Sequence, residues 1–147
     1  MTAPPETILA PLDGSDLAEA GVEYAAMVAE AFAARLILFT AVGGEERQAL
    51  VEFAAAEGIA LNEAADAFVN RLARWLPDAL EVERHHRLSD NPAAAIVEFA
   101  DEIGASVIVM ASHGRSGVSR WLLGSVADKI VQSSAVPVLV VPVRDRP

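Results

Sequence analysis

The chain reads as a single α/β domain: a mostly parallel, five-stranded sheet with helices on both faces. Three observations carry that reading. Short, largely apolar runs at residues 7–12, 35–42, 106–110 and 136–143 alternate with segments whose apolar residues recur at helical spacing. Strands and helices that alternate in this way join through right-handed crossovers into a parallel sheet. The runs are also nearly continuous in Val, Ile and Leu, as strands buried on both faces are. Finally, 147 residues suit one domain with a proper core.

The elements follow in order. Residues 7–12 end in Asp13-Gly14-Ser15-Asp16, a turn and helix-start cluster. Asp16 with Glu19 three residues later reads as a capping box, and Leu17, Gly21, Tyr24, Val28 and Ala31 continue at helical spacing. The second strand, 35–42, stops at Gly43-Gly44. Residues 45–57 read as a helix broken at Gly58, and Leu61, Ala65, Phe68, Leu72 and Trp75 mark a longer one that Pro77 ends. Residues 81–88 are too polar for a central strand and belong at a sheet edge. Asn91-Pro92 is a cap with proline at the first helical position. Ile96, Phe99, Ala100 and Ile103 form the buried stripe of that helix, and Gly104 stands where helices commonly end. The fourth strand covers 106–110, a helical pattern runs over 126–134, and the fifth strand covers 136–143.

Composition narrows the function classes. The chain has no cysteine, hence no disulfide and no thiolate metal site. Its formal net charge of −10 argues against general nucleic-acid binding, which needs a basic face. No apolar run approaches the roughly 20 residues that span a bilayer, so no membrane role is expected. Residues 1–6 are short, proline-rich and carry no basic region, unlike a secretory signal. The expected location is the cytoplasm.

Ligands of such sheets bind at the carboxyl ends of strands, near the point where strand order reverses. Asp13, Ala41 and the segment after Met110 all fall at strand ends and are candidates for one shared cleft. The stretch 111–125 lies between a buried strand and a helix and contains Arg115 and Arg120 but no acid. Glycines in such a loop expose backbone N–H groups at a helix N-terminus, where anions bind well. It contains neither a Walker loop nor the dinucleotide Gly-x-Gly-x-x-Gly. Instead Gly114 is followed, after nine residues, by Gly124-Ser125.

This spacing resembles the nucleotide-binding branch of the universal stress protein family, whose motif is Gly-x-x-Gly, nine residues, Gly-Ser/Thr. The resemblance covers essentially the whole chain: residues 8–15 (Ile-Leu-Ala-Pro-Leu-Asp-Gly-Ser), 109–117 (Val-Met-Ala-Ser-His-Gly-Arg-Ser-Gly), 122–127 (Leu-Leu-Gly-Ser-Val-Ala) and 137–142 (Pro-Val-Leu-Val-Val-Pro). It implies a Rossmann-like, adenine nucleotide α-hydrolase-like sheet of strand order 3-2-1-4-5. It also implies a site for ATP, or AMP or ADP, made by Pro11, Leu12, Asp13, Ala41, Ala111, His113, Gly114, Arg115, Gly117, Gly124, Ser125 and Val126. Asp13 would lie near the ribose and any Mg2+ carried with the nucleotide, and Ala41 would present backbone to the adenine edge. Gly114, Gly117 and Gly124 let phosphate oxygens approach the backbone, while Ser125 offers a hydroxyl at the start of the last helix. Ala111 departs from the motif, standing where its first glycine falls, so that its methyl would crowd a ribose or phosphate.

The expected function is therefore adenine-nucleotide binding as a regulatory ligand in stress response. The alternatives are a nucleotide-independent dimeric interaction module and a weak ATP hydrolase. Hydrolysis calls for a residue that orients water and a metal-holding pair; Asp13 is one such contact, and the sequence offers no second. His85-His86 has no partners at ligand spacing, His113 has no nucleophile or orienting acid near it, and Trp121 reads as core or interface. Strand 136–143 would make a sticky sheet edge that Pro137 and Pro142 blunt only partly. A homodimer through it is expected, as is usual in the family.

Overall fold

The computed structural model describes residues 3–13, 15–78, 80–114 and 124–144. Five strands, β1 (Thr7–Pro11), β2 (Arg35–Val42), β3 (Val82–Leu88), β4 (Val107–Gly114) and β5 (Val138–Arg144), form one parallel sheet in the order β3-β2-β1-β4-β5. This is the expected order. Five helices connect the strands: α1 (Asp16–Phe32), α2 (Gly44–Glu57), α3 (Leu61–Leu72), α4 (Pro92–Glu102) and α5 (Ser125–Ser133).

Strand alternation divides the core between the two sheet faces. Ile8, Ala10, Leu12, Leu36, Leu38 and Val109 meet α1 through Val22, Ala25 and Ala29. On the other face Leu9, Ile37, Phe39 and Ile108 meet Ile96 and Phe99 of α4 and Ile130 of α5. The Phe39 and Phe99 rings stack with centroids 4.5 Å apart, a contact that adds to simple burial. A third cluster (Val42, Leu50, Ala54, Ala64 and Ala65) seats the α2–α3 pair at the end of β2.

β3 is the polar edge the sequence calls for. His86 Nδ1 lies 3.1 Å from Asp66 Oδ1 on α3, and Arg35 pairs with Glu83 at 3.1 Å. Among the described residues no helix is long and apolar enough to cross a membrane.

Most boundaries fall within a residue of the sequence expectation, and four differences are informative. The cap of α1 is Ser15, not Asp16: the Ser15 hydroxyl accepts the Ala18 N–H at 3.1 Å, and Asp16 is already helical. The serine wins because Asp13 Oδ1 accepts both its N–H (2.9 Å) and its hydroxyl (2.6 Å), which orients it as a cap. α3 ends at Leu72 rather than reaching Trp75, because Ala73 and Leu76 turn inward to join the α1-face core. β5 begins at Val138, after Pro137, whose carbonyl accepts the Ile108 N–H at 2.9 Å.

β4 shows the largest difference. It does not stop at Met110 but continues to Gly114, pairing Ala111 through Gly114 with Val141 through Arg144 of β5. The polar letters Ser112 and His113 suggest a loop, yet the long apolar β5 supplies a backbone partner for each.

Candidate functional site

The strand order reverses between β1 and β4, and the sheet splits there. β1 and β4 share only the register Ile8↔Val107 and Leu9↔Ile108, while β4 stays paired with β5 for six residues beyond Ile108. Past Leu9, β1 instead leans on β2. The Leu12 N–H donates to the Phe39 carbonyl at 2.9 Å, and the buried Thr40 hydroxyl donates to the Leu12 carbonyl at 2.7 Å. The parting strands leave a cleft of about 860 Å3, within the range of small-molecule sites.

Of the sequence candidates, Pro11, Leu12, Asp13, Ala41, Ala111, Gly124, Ser125 and Val126 line this cleft. His113 and Gly114 are strand residues opposite Val143 and Arg144. Arg115 and Gly117, like Arg120 and Trp121, lie outside the described residues.

The two ends of the cleft differ in charge. At one end stand three carboxylates, Asp13, Glu46 and Asp90. Asp90 Oδ1 accepts the Gly44 N–H at 3.2 Å, and the Ser89 N–H donates to the Val42 carbonyl at 2.9 Å. These bonds bring the β2 and β3 loops so close that a Cβ on Gly43 would lie 2.2 Å from the Ser89 carbonyl oxygen. Glu46, in the first turn of α2, is half-buried. Desolvation, and secondarily the negative charge of Asp13, push its carboxyl above the ordinary value of 4.5.

At the other end lies the start of α5. Gly124 is its N-cap and provides no side-chain hydrogen bond, so among the described residues the first-turn N–H groups have no side-chain cap, an arrangement that suits solvent or an anion. A Cβ on Gly124 would meet nothing within 4 Å. Between the two ends, Phe39, Ala41, Ile96 and Met110 give the cleft an apolar wall.

Ala111 lines the cleft and also packs against α1. Its methyl lies 3.4 Å from where a Cβ on Gly21 of α1 would sit, and its N–H nitrogen only 2.9 Å from that point. Alternation puts it on the α1 face with Val109. The methyl fills the gap that Gly21 leaves.

Glu46 and Ser112 line the cleft but escape the sequence reading. Glu46 looks like a solvated helix residue, although its place just beyond the carboxyl end of β2 is a usable signal. Ser112 is 2 % exposed, and its Oγ has no hydrogen-bond partner among the described residues. Nothing in the sequence marks it, because it reads as a loop serine. Among the described residues no group of three or more His, Asp or Glu could hold a metal ion.

A sheet split at its switch point, with carboxylates on one side of the cleft and a helix N-terminus on the other, defines a Rossmann-like α/β domain. The profile of the Universal stress protein family matches residues 5–142, and the chain belongs to that family. It is 38% identical over 76 residues to universal stress protein Rv2319c of Mycobacterium tuberculosis, covering 52% of this chain and 26% of that one. The chain thus spans about a quarter of the length of that relative. Universal stress protein MJ0577 of Methanocaldococcus jannaschii is 29% identical over 150 residues, covering 91% of this chain and 93% of that one. The MJ0577 structure superposes with a TM-score of 0.67 at 27% identity, covering 99% of each chain. A universal stress protein solved in complex with cAMP superposes with a TM-score of 0.61 at 27% identity, over 95% of this chain and 98% of that one.

Proposed function

We propose that this chain binds an adenine nucleotide (ATP, AMP or ADP) in the cleft as a regulatory ligand of a stress response. One observation carries the reading: the cleft is polarised to suit a nucleoside phosphate. Its apolar wall at Phe39, Ala41 and Ile96 suits a purine face, and carboxylates such as Asp13 accept ribose hydroxyls. The uncapped start of α5 suits phosphate, which helix N-termini bind through free N–H groups and the helix dipole. The family neighbour that holds cAMP supports the same ligand class. The Ala111 methyl, turned toward Gly21, leaves room for it.

A Mg2+ ion carried with the nucleotide would take Asp13 as its carboxylate ligand. Binding shifts a conformational or assembly equilibrium. The protein acts in the cytoplasm as a homodimer through β5, whose outer edge has no strand beside it among the described residues.

The test is calorimetric titration of the purified protein with ATP, AMP and GTP, in the wild type and in Gly124→Phe. Because Gly124 faces open space at an ordinary φ of −62°, the substitution is expected to keep the melting temperature and abolish binding of ATP and AMP. Wild-type protein that neither carries nor binds an adenine nucleotide would overturn the proposal and leave a nucleotide-independent dimeric interaction module in its place.

A further inference from the structure

The start of α2 borders the cleft through Gly43, Gly44 and Glu46, yet little apolar packing holds it there. Leu50 and Ala54 are the buried residues of this helix, and residues 44–49 contribute no buried side chain. Nor does the helix cap itself: Gly43 stands at the N-cap and makes no side-chain hydrogen bond. Ser, Thr, Asp or Asn commonly fill that position. Here a Cβ would lie 2.2 Å from the Ser89 carbonyl oxygen, so the close approach of the loop after β3 excludes a capping side chain.

The same loop supplies a substitute. Asp90 Oδ1 accepts the Gly44 N–H at 3.2 Å, which satisfies one of the N–H groups that a helix start leaves without an intrahelical partner. The carboxylate also stands at the positive end of the α2 dipole. Asp90 is itself fixed on both sides. The Ser89 N–H donates to the Val42 carbonyl at 2.9 Å, and Ser89 Oγ accepts the Asn91 N–H at 3.1 Å. Asn91 Oδ1 in turn caps α4 by accepting the Ala94 N–H at 3.2 Å. Asp90 thus ties the start of α2 to a loop anchored on both β2 and α4.

We propose that Asp90 is a positioning residue: it holds the first turn of α2 against the β3–α4 loop and so keeps that rim of the cleft in the shape the ligand meets. The proposal rests on the nucleotide-binding reading above. A rim ordered before binding spares the ligand the cost of ordering it. What counts is an acceptor atom in the right place, more than the negative charge.

The experiment compares wild type with Asp90→Asn, Asp90→Ala and Asp90→Glu. Asn keeps an acceptor in place without the charge, Ala removes it, and Glu keeps the charge but moves the acceptor by one methylene. AMP affinity is measured by calorimetry, and amide hydrogen exchange at Gly44 and Arg47 of the ligand-free protein by NMR. The Ala and Glu variants are expected to speed exchange at both amides and to weaken AMP, each by about threefold to tenfold. The Asn variant is expected to stay within about twofold of wild type in both. The Glu variant reads the same outcome should Ala lower the melting temperature too far for titration. AMP affinity unchanged in Ala and Glu would overturn the proposal and leave Asp90 a structural cap alone. Unchanged exchange would overturn it too, by removing the tie to α2. So would an Asn variant as weak as Ala, since the charge or the second oxygen would then be what the ligand meets. Each of these results leaves the nucleotide reading standing, whereas wild-type protein that binds no AMP overturns both.

Discussion

Glu46 shows at a single residue how the cleft departs from an optimal fold. Its carboxyl is raised above 4.5 by desolvation and by Asp13, so the folded chain holds that proton more tightly than the unfolded chain does. The resulting stability is fully present below the unfolded value and is lost as pH rises through the folded one. Glu46→Gln is therefore expected to raise the melting temperature at pH 7 and to give no gain at about pH 3.5, below the ordinary glutamate range. Equal melting temperatures at pH 7 would remove the desolvation account. Gly43 is constrained by space instead. With a Cβ position 2.2 Å from the Ser89 carbonyl oxygen, Gly43→Ala is expected to cost about 1–3 kcal/mol in urea denaturation. Ala33, which ends α1 at φ 52°, is a third case. A left-handed L-residue is strained, and Ala33→Gly is expected to stabilise by about 0.5–1 kcal/mol in the same measurement. Asp13 and Ser125 were legible as site candidates because strand ends and helix starts leave marks in sequence. Ser112 was not, since a hydroxyl becomes an orphan only through what surrounds it in three dimensions.

At the scale of elements, α1 and β4 explain the departure at Ala111. The helix can lie close to the strand because Gly21 has no side chain, and the Ala111 methyl occupies the space. Ala111→Gly is accordingly expected to change AMP affinity by less than about twofold, since the methyl is part of the α1 packing. A gain of tenfold would mean that it intrudes on the ligand after all. Gly21→Ala, whose Cβ would meet the Ala111 nitrogen at 2.9 Å, is expected to lower stability by about 1–3 kcal/mol, because backbone there must move. Apolar runs and helical stripes identified most of the ten elements, and β3 was legible instead as a polar edge. The ends of β4 and α3 escaped because tertiary partners decide them: β5 draws Ser112 and His113 into the sheet, and the α1-face core draws Ala73 and Leu76 out of a helix.

At the scale of the whole molecule, the sheet order converts separate sequence motifs into one cleft. Residues as distant as Leu12, Ala41, Ser89 and Ser125 line it because β1 and β4 part after Leu9↔Ile108. The same order leaves β5 at an edge, with Leu139 40% exposed. If β5 pairs two copies, Leu139→Lys is expected to shift the sedimentation profile from dimer toward monomer, whereas an unchanged dimer would place the interface elsewhere. The central claim is that the cleft holds an adenine nucleotide with its phosphate at α5. Amide chemical shifts of the isotopically labelled protein, followed while AMP is added, test it most directly. The account expects saturable shifts at Leu12, Ala41, Ser112, Ser125 and Val126, with the amides of α3 unmoved. No shifts at millimolar AMP, or shifts confined to residues away from the cleft, would contradict it.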